Sequence, residues 1–340
     1  MSGKIEISQY TSLEDVFQKF EQLKVLIIGD VMLDSYLWGK VERISPEAPV
    51  PILHVQKRDK RLGGAANVAL NVQSLGSTPI LCSVIGNDVE GDNFISLLEK
   101  SNLSIEGIIK SEERITTIKH RVMSGAHHML RVDEEMDHEV SNNDLKLLLE
   151  KIKKLTPECD VIIFEDYDKG VINEKLIEEV ISFAKKHQVP VVVDPKKRNF
   201  LYYRGASLFK PNKKELKEGL KIDSDLKNID ELENAIALLQ SKLQAEAILI
   251  TLSEKGIYIS HKQDKFQIPA HHREISDVSG AGDTVISIAA LCYALQLPSK
   301  FIAELSNLGG GLVCEHIGVV PINKNDLFTE ANKLQLFKSF

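Results

Sequence analysis

Short apolar runs and amphipathic stretches alternate along most of the chain. Residues 24–28 (KVLII) form one such run. It closes on Gly29-Asp30 and predicts a buried strand with a polar residue at its carboxyl end. Similar runs fall at 160–164, 189–193, 207–209 and 247–251. Between and after them, apolar residues recur at helical spacing over 65–75, 93–100, 144–155, 174–187, 229–243, 284–295 and 299–314. Strands that alternate with helices predict an α/β architecture, a mainly parallel sheet covered on both faces. In such sheets ligands bind beyond the carboxyl ends of the strands.

Two stretches break the rhythm. Residues 35–58 carry Pro46, Pro49 and Pro51 and then alternate polar with apolar, and residues 115–133 read as two β-rich pieces around Ser124-Gly125. Both predict strands outside the main sheet, either a small lid or a pair of edge hairpins. With no repeat, low-complexity tract or long linker, residues 1–340 are expected to form one domain with its core at about 22–322.

The composition, 43% hydrophobic and 27% charged over 340 residues, is that of a globular chain and not of a disordered, fibrous or membrane one. A formal net charge of -7 argues against a nucleic-acid partner, which calls for a basic footprint. No apolar run reaches the ~20 residues that span a bilayer, and residues 1–20 lack the apolar segment of a signal peptide. No membrane partner is expected, and the expected location is the cytoplasm. Cys82, Cys159, Cys292 and Cys314 are widely spaced and are expected to be buried free thiols. His127-His128 and His271-His272, read as strand neighbours, point to opposite faces and are not expected to chelate a metal.

The candidate chemistry centres on Gly280-Ala281-Gly282-Asp283, directly before a helical pattern. Small residues let backbone N–H groups approach an anion, and a helix start adds unpaired N–H groups and the positive end of its dipole. Asp283 stands where a carboxylate can take a proton from a hydroxyl, or where it only caps the helix. There is no G-x-x-x-x-G-K-[ST], no G-x-G-x-x-G after the first strand and no protein-kinase motif set. Asp34, shortly after a buried strand, suits the hydroxyls of a polyol. Gly63-Gly64 before a helix allows close approach of a ligand, or simply a turn. Asn212 and Glu215 fall on one helical face as oxygen ligands for Mg²⁺, or as a helix cap.

These residues fall into a family pattern. The run D-V-S-G-A-G-D-T at 277–284 resembles the carboxyl-terminal signature of the ribokinase (PfkB) family of sugar kinases. Gly63-Gly64-Ala65-Ala66-Asn67 resembles its amino-terminal substrate element, Asn212-Lys213-Lys214-Glu215 its N-x-x-E motif near Mg·ATP, and Gly29 to Asp34 its opening strand. The resemblance covers about residues 24–320. It implies a ribokinase-like three-layer sandwich with a small β lid and ATP and Mg²⁺ as cofactors. Asp283 would be the general base, the N–H groups of Gly280, Ala281 and Gly282 would stabilise the transferred group, and Asp34, Gly63, Gly64 and Asn67 would bind the sugar. Thr251, Ser253 and Gly256 would form a nucleotide loop, although the family commonly has glycine where Ser253 stands. Asn307 and Gly310 in the late glycine triplet would flank the adenine, unless the triplet serves tight helix packing.

Arg43 to Pro51 (R-I-S-P-E-A-P-V-P) is similar to an element of the heptose 7-phosphate kinases of ADP-heptose synthesis, as are stretches at 165–170, 194–196 and 203–206. That similarity implies phosphorylation of D-glycero-D-manno-heptose 7-phosphate at O1, toward the lipopolysaccharide core. The substrate's own phosphate would need a cation, with Arg43, Lys119, Arg121, Lys169 and Lys196 as candidates. Many such kinases are fused to a nucleotidyl-transferring domain; nothing after residue 330 is long enough for one, so a kinase alone is expected. Lid edges predict a homodimer. Two other readings stay open: a family kinase of ribose, fructose 1-phosphate or a nucleoside, and a non-catalytic sugar-sensing module.

Overall fold

Strand β1 (Lys24–Gly29) is apolar on both faces. Val25 and Ile27 pack into one apolar cluster, Leu26 and Ile28 into another, and all four are fully buried. Such a strand needs a covering layer on each side. The computed structural model, which describes residues 10–125 and 127–339, supplies both. Helix α1 (Leu13–Phe20) precedes β1. Then follow β2 (Val31–Ile44), β3 (Pro51–Gly64), α2 (Ala65–Ser74), β4 (Thr78–Gly86), α3 (Val89–Lys100), β5 (Ile108–Ser111), β6 (Ile118–Ser124), β7 (His127–Glu134) and α4 (Asn142–Leu155). The second half holds β8 (Val161–Glu165), α5 (Glu174–Lys186), β9 (Val191–Asp194), β10 (Leu208–Phe209), α6 (Lys213–Leu220), α7 (Ile229–Leu243), β11 (Ala247–Thr251), β12 (Ile257–His261) and β13 (Asp264–Ile268). It closes with α8 (Ala281–Ala294), α9 (Ser299–Val313) and α10 (Lys324–Lys333).

Nine strands form the main sheet in the order β13-β12-β11-β10-β9-β8-β1-β4-β5. The seven strands from β11 to β5 run parallel, and β12 and β13 return antiparallel at one edge. Helices α1, α2, α3, α8, α9 and α10 pack on one face, and α4, α5, α6 and α7 on the other. Every anticipated strand and helix is present. Strands β4, β5, β12 and β13 and helices α1 and α10 add to them.

The two irregular stretches do form a separate sheet, in the order β3-β2-β6-β7. Its arms are longer than anticipated, because the β2–β3 pairing, past register shifts at Val41/Arg43 and Trp38/Gly39, continues down to Val31 opposite Gly64. Residues paired across strands share a face. Asp34, Tyr36, Arg61, Lys119 and Arg121 lie on one face of this lid, and Leu37, Val122, Leu130 and Val132 on the other. At its base Gly64 adopts φ 60, and a Cβ there would meet the Asp30 carbonyl oxygen at 2.4 Å. Only glycine fits that junction. The four cysteines are free and buried, and burial pushes the Cys82 thiol up to about 12.

Candidate active site

The carboxyl ends of adjacent parallel strands line up one row of polar side chains. Thr251 ends β11, Lys210 follows β10, Asp194 ends β9, Glu165 ends β8 and Asp30 follows β1. The first turn of α8 lies across this row. Gly280 caps the helix with φ 81, where a Cβ would come within 3.0 Å of the Asn67 amide. The turn before it is braced by Asp277, whose carboxylate accepts the Ser279 N–H at 3.0 Å and the Gly318 N–H at 2.9 Å. First-turn N–H groups have no intrahelical acceptor; that of Ala281 donates to the Val278 carbonyl at 3.3 Å, which leaves those of Gly282 and Asp283 as the donors the start of α8 can present to this row. Gly282 leaves that approach open; its missing Cβ would sit 3.6 Å from Asp194 Oδ2 and 3.7 Å from Lys210 Nζ.

Asp283 is buried, and each carboxylate oxygen has its own donor. Asn67 Nδ2 donates to Oδ2 at 2.6 Å, and the Tyr167 hydroxyl donates to Oδ1 at 2.8 Å. Burial pushes its carboxyl above the ordinary value, while these two hydrogen bonds and the nearby Lys210 work in the other direction. Asp283 is therefore no plain helix cap: its side chain points into the row rather than back onto the backbone of its own helix turn. Asn67, which the family resemblance gives to the sugar, donates from Nδ2 to Asp283 and accepts at Oδ1 from Asn71 at 3.4 Å, with one N–H and one lone pair left over.

Lys210 is 3% exposed and pairs with Asp194 at 2.7 Å. The other oxygen of Asp194, and both oxygens of Glu165, are buried without a partner among the described residues. Burial, and then the neighbouring Asp194 and Asp283 charges, raise the Glu165 carboxyl well above its ordinary range. Asn212 and Glu215 form a capping box on α6, with the Asn212 side chain accepting the Glu215 N–H and the Glu215 side chain accepting the Asn212 N–H, both at 2.8 Å. The second Glu215 oxygen pairs with Lys196 at 2.6 Å. Each of these acceptors carries one protein donor and keeps a second lone pair, while both oxygens of Glu165 and the second oxygen of Asp194 carry none among the described residues. No cluster of three or more His, Cys, Asp or Glu forms a ready-made metal site among the described residues. His127 and His128 are strand neighbours on β7, whereas His271 and His272 lie in a loop, so the strand argument does not apply to the second pair.

At the base of the lid, Asp34 is ion-paired with Arg121. A Cβ on Gly63 would lie 2.5 Å from Asp34 Oδ2, so this glycine is what admits the carboxylate. Arg61 and Arg121 both stand over the Tyr36 ring, 5.0 and 5.4 Å from its centroid. Lys169 reaches Glu135 at 2.7 Å, and Lys119 reaches Asp133 and Glu135 at 3.2 Å. Arg43 is exposed near the far end of β2, nine residues beyond Asp34, about 30 Å along the strand. The fold does not bring it to this chain's own Asp34.

The anticipated nucleotide residues gather around β11 and α6. Thr251 bridges Asn212, and Ser253 adopts φ 54, the conformation that explains a glycine preference at that position. Gly256 is held by packing, since a Cβ there would lie 2.0 Å from the Ile268 carbonyl oxygen. Lys213 is half-buried, and Lys214 is exposed opposite Glu218. Asn307 donates to the Pro269 carbonyl at 2.8 Å. Gly310 faces Val285 of α8, 2.7 Å from where its Cβ would be, and Gly309 faces Ile288 at 2.1 Å. The triplet's first two glycines serve close helix packing.

Residues 22–325 match the model of the pfkB family carbohydrate kinases. The chain belongs to that family. It is a carbohydrate kinase, a phosphotransferase. Over 320 residues it is 38% identical to the bifunctional protein HldE of Syntrophotalea carbinolica, covering 93% of this chain and 64% of that protein. Over 297 residues it is 39% identical to bifunctional protein HldE of Helicobacter pylori, covering 87% and 63%. The chain thus spans slightly less than two thirds of the length of these relatives. Phosphofructokinase-2 from Escherichia coli superposes with a TM-score of 0.77 at 18% identity over 92% of this chain and 99% of that one. Ribokinase from Arabidopsis thaliana does so with 0.70 at 15% identity over 90% and 98%. The fold is therefore the ribokinase-like sandwich with its lid.

Tyr167, Glu165, Asp194, Lys210 and Asp30 escaped assignment from sequence. Their common signal was available: each stands at or just past the carboxyl end of a strand, where such sheets place their chemistry.

Proposed function

We propose that this kinase transfers the γ-phosphoryl group of ATP to the anomeric hydroxyl of D-glycero-D-manno-heptose 7-phosphate. The observation that carries the phosphotransfer reading is a buried carboxylate, Asp283, held by two donors beside the donor-rich start of α8. The sugar oxygen attacks the γ-phosphorus, the bond to the β–γ bridging oxygen breaks, ADP leaves, and Asp283 accepts the hydroxyl proton. The N–H groups of the Gly280–Gly282 turn, with that of Ala281 exchanging its Val278 carbonyl for the ligand, would stabilise the charge that develops on the transferred group. Mg²⁺ fits the open oxygens of Glu165 and Asp194 together with nucleotide phosphates. When bound it would neutralise phosphoryl charge. Lys210 and Lys196 balance the carboxylate row from the protein side.

The sugar's identity is supported by the R-I-S-P-E-A-P-V-P stretch and the likeness to HldE proteins. Asp34 is suited to sugar hydroxyls, and the lid cations Arg61, Lys119 and Arg121 on the same face suit a phosphate. A second copy covering the opposite lid face would complete a homodimer. In the cell, the reaction would belong to ADP-heptose supply in the cytoplasm.

Two measurements test this. A coupled assay of ATP consumption across heptose 7-phosphate, fructose 6-phosphate, ribose and unphosphorylated heptose should show efficient turnover with heptose 7-phosphate alone. Preference for another sugar would reject the assignment. Asp283→Asn should still bind ATP while kcat falls ~10²–10⁴-fold, the usual worth of a general base. Turnover within a few-fold of wild type would remove Asp283 from that role.

A further inference from the structure

Tyr167 is the one donor to Asp283 that lies outside every motif given a role above. It stands two residues past β8, in a loop wrapped around a single buried carboxylate. Asp30 accepts the backbone N–H groups of Tyr167, Lys169 and Val171 at 2.9, 3.1 and 3.0 Å. The carbonyl of the same Asp30 accepts the Ala65 N–H at 3.0 Å, at the start of the helix that carries Asn67. One residue therefore sets the register of both groups that grip Asp283. The Tyr167 ring is fixed from its other side by Lys196, whose ammonium lies 5.4 Å from the ring centroid.

A carboxylate on a helix can turn about two bonds, and its productive orientation is one among several. Two donors on different oxygens define its plane, and each oxygen keeps a second lone pair. We propose that Tyr167 is a positioning residue for phosphoryl transfer, its hydroxyl holding the Asp283 carboxylate with a lone pair aimed at the attacking sugar hydroxyl. This rests on Asp283 acting as the base. The phenol suits the task because it stays a donor: burial, then the surrounding carboxylates, raise its ionisation well above the ordinary value. Tyr167 neither takes the substrate proton nor contacts the phosphoryl group.

The decisive experiment is a double-mutant cycle with Tyr167→Phe and Asp283→Asn in the full chain. Phenylalanine keeps the ring beneath Lys196 and deletes only the hydroxyl. Single-turnover transfer from radiolabelled ATP measures even slow variants, using the sugar of highest turnover in the panel above. In the wild-type background Tyr167→Phe should lower kcat about 10- to 100-fold, the worth of a hydrogen bond to a charged group, with KM for sugar and ATP within about twofold. In the Asp283→Asn background the same change should cost less than about threefold, because its target is gone. An equal loss in both backgrounds overturns the proposal, as does a raised sugar KM with unchanged kcat. A near-normal rate for Asp283→Asn alone would instead refute the base itself. Thermal melts of the variants exclude loss of fold as the cause.

Discussion

Lys210 is an ammonium closed off from water, and that has a cost only its neighbours can offset. It pairs with Asp194, and burial, which by itself favours the neutral amine, is outweighed by Asp194 and then Glu215, so its ionisation is raised. Replacing one partner of such a pair leaves the other charge buried and uncompensated. Lys210→Met should therefore destabilise the fold by ~3 kcal/mol or more, read as a lower urea midpoint. Combining it with Asp194→Asn should restore part of the loss, because neither charge then remains. A double variant no better than the single one would mean that the pair is not the source of the cost. The pairing was not readable from sequence. Lys210 precedes Pro211 and Asn212 with no local pattern to mark it, whereas the sheet order sets it beside Asp194.

Helices α8 and α9 show how an element can carry a signature for a reason other than ligand contact. The glycine triplet at 309–311 sits inside α9, where glycine costs roughly 1 kcal/mol per residue against alanine. The compensation is close approach of α8, since a Cβ on Gly309 would lie 2.1 Å from the Ile288 Cδ1. Gly309→Ala should lower stability despite its better helix propensity, because the buried Ile288 has little room to yield. Ile288→Val removes that Cδ1, so the double variant should be more stable than the sum of the two single losses predicts. Additive losses in chemical denaturation would place the strain elsewhere. The same contrast explains what was legible. Residues 229–243 were read as a helix with the bounds they have, since period and caps are local signals. Strands β12 and β13 were not, because an antiparallel edge with short, half-polar strands lacks the continuous apolar run of its parallel neighbours. Within the site, Asp283 and Gly280 were legible because they share one short motif. Their partners Tyr167 and Asn67 lie 116 and 216 residues away, and only the fold brings them together.

At the scale of the whole molecule, the lid joins two unlike surfaces. Its charged face carries Asp34 paired with Arg121, Arg61 paired with Asp59, and Lys119 paired with Asp133 and with Glu135, which also takes Lys169 from the β8–α5 loop. Its other face carries Leu37, Val122, Leu130 and Val132, of which Leu130 is 58% and Val132 45% exposed. Strand β7 is also an edge, with backbone groups free to pair. The same face also carries Arg58, Lys60, His120 and Glu134, so its exposed apolar part is Leu130 and Val132 of the edge strand. Exposed apolar side chains with neighbours of both charge signs, beside an open strand edge, suit a second copy of the lid paired edge to edge. The homodimer proposed above should therefore form through this face. In sedimentation equilibrium the wild-type mass should approach twice 38.0 kDa and fall on dilution or stay dimeric throughout. Leu130→Glu together with Val132→Lys should shift the equilibrium to monomer without lowering the melting temperature of the core. A wild-type mass of one chain at every concentration, or a double variant that remains fully dimeric, would show that the lid faces solvent or that the contact lies on another surface.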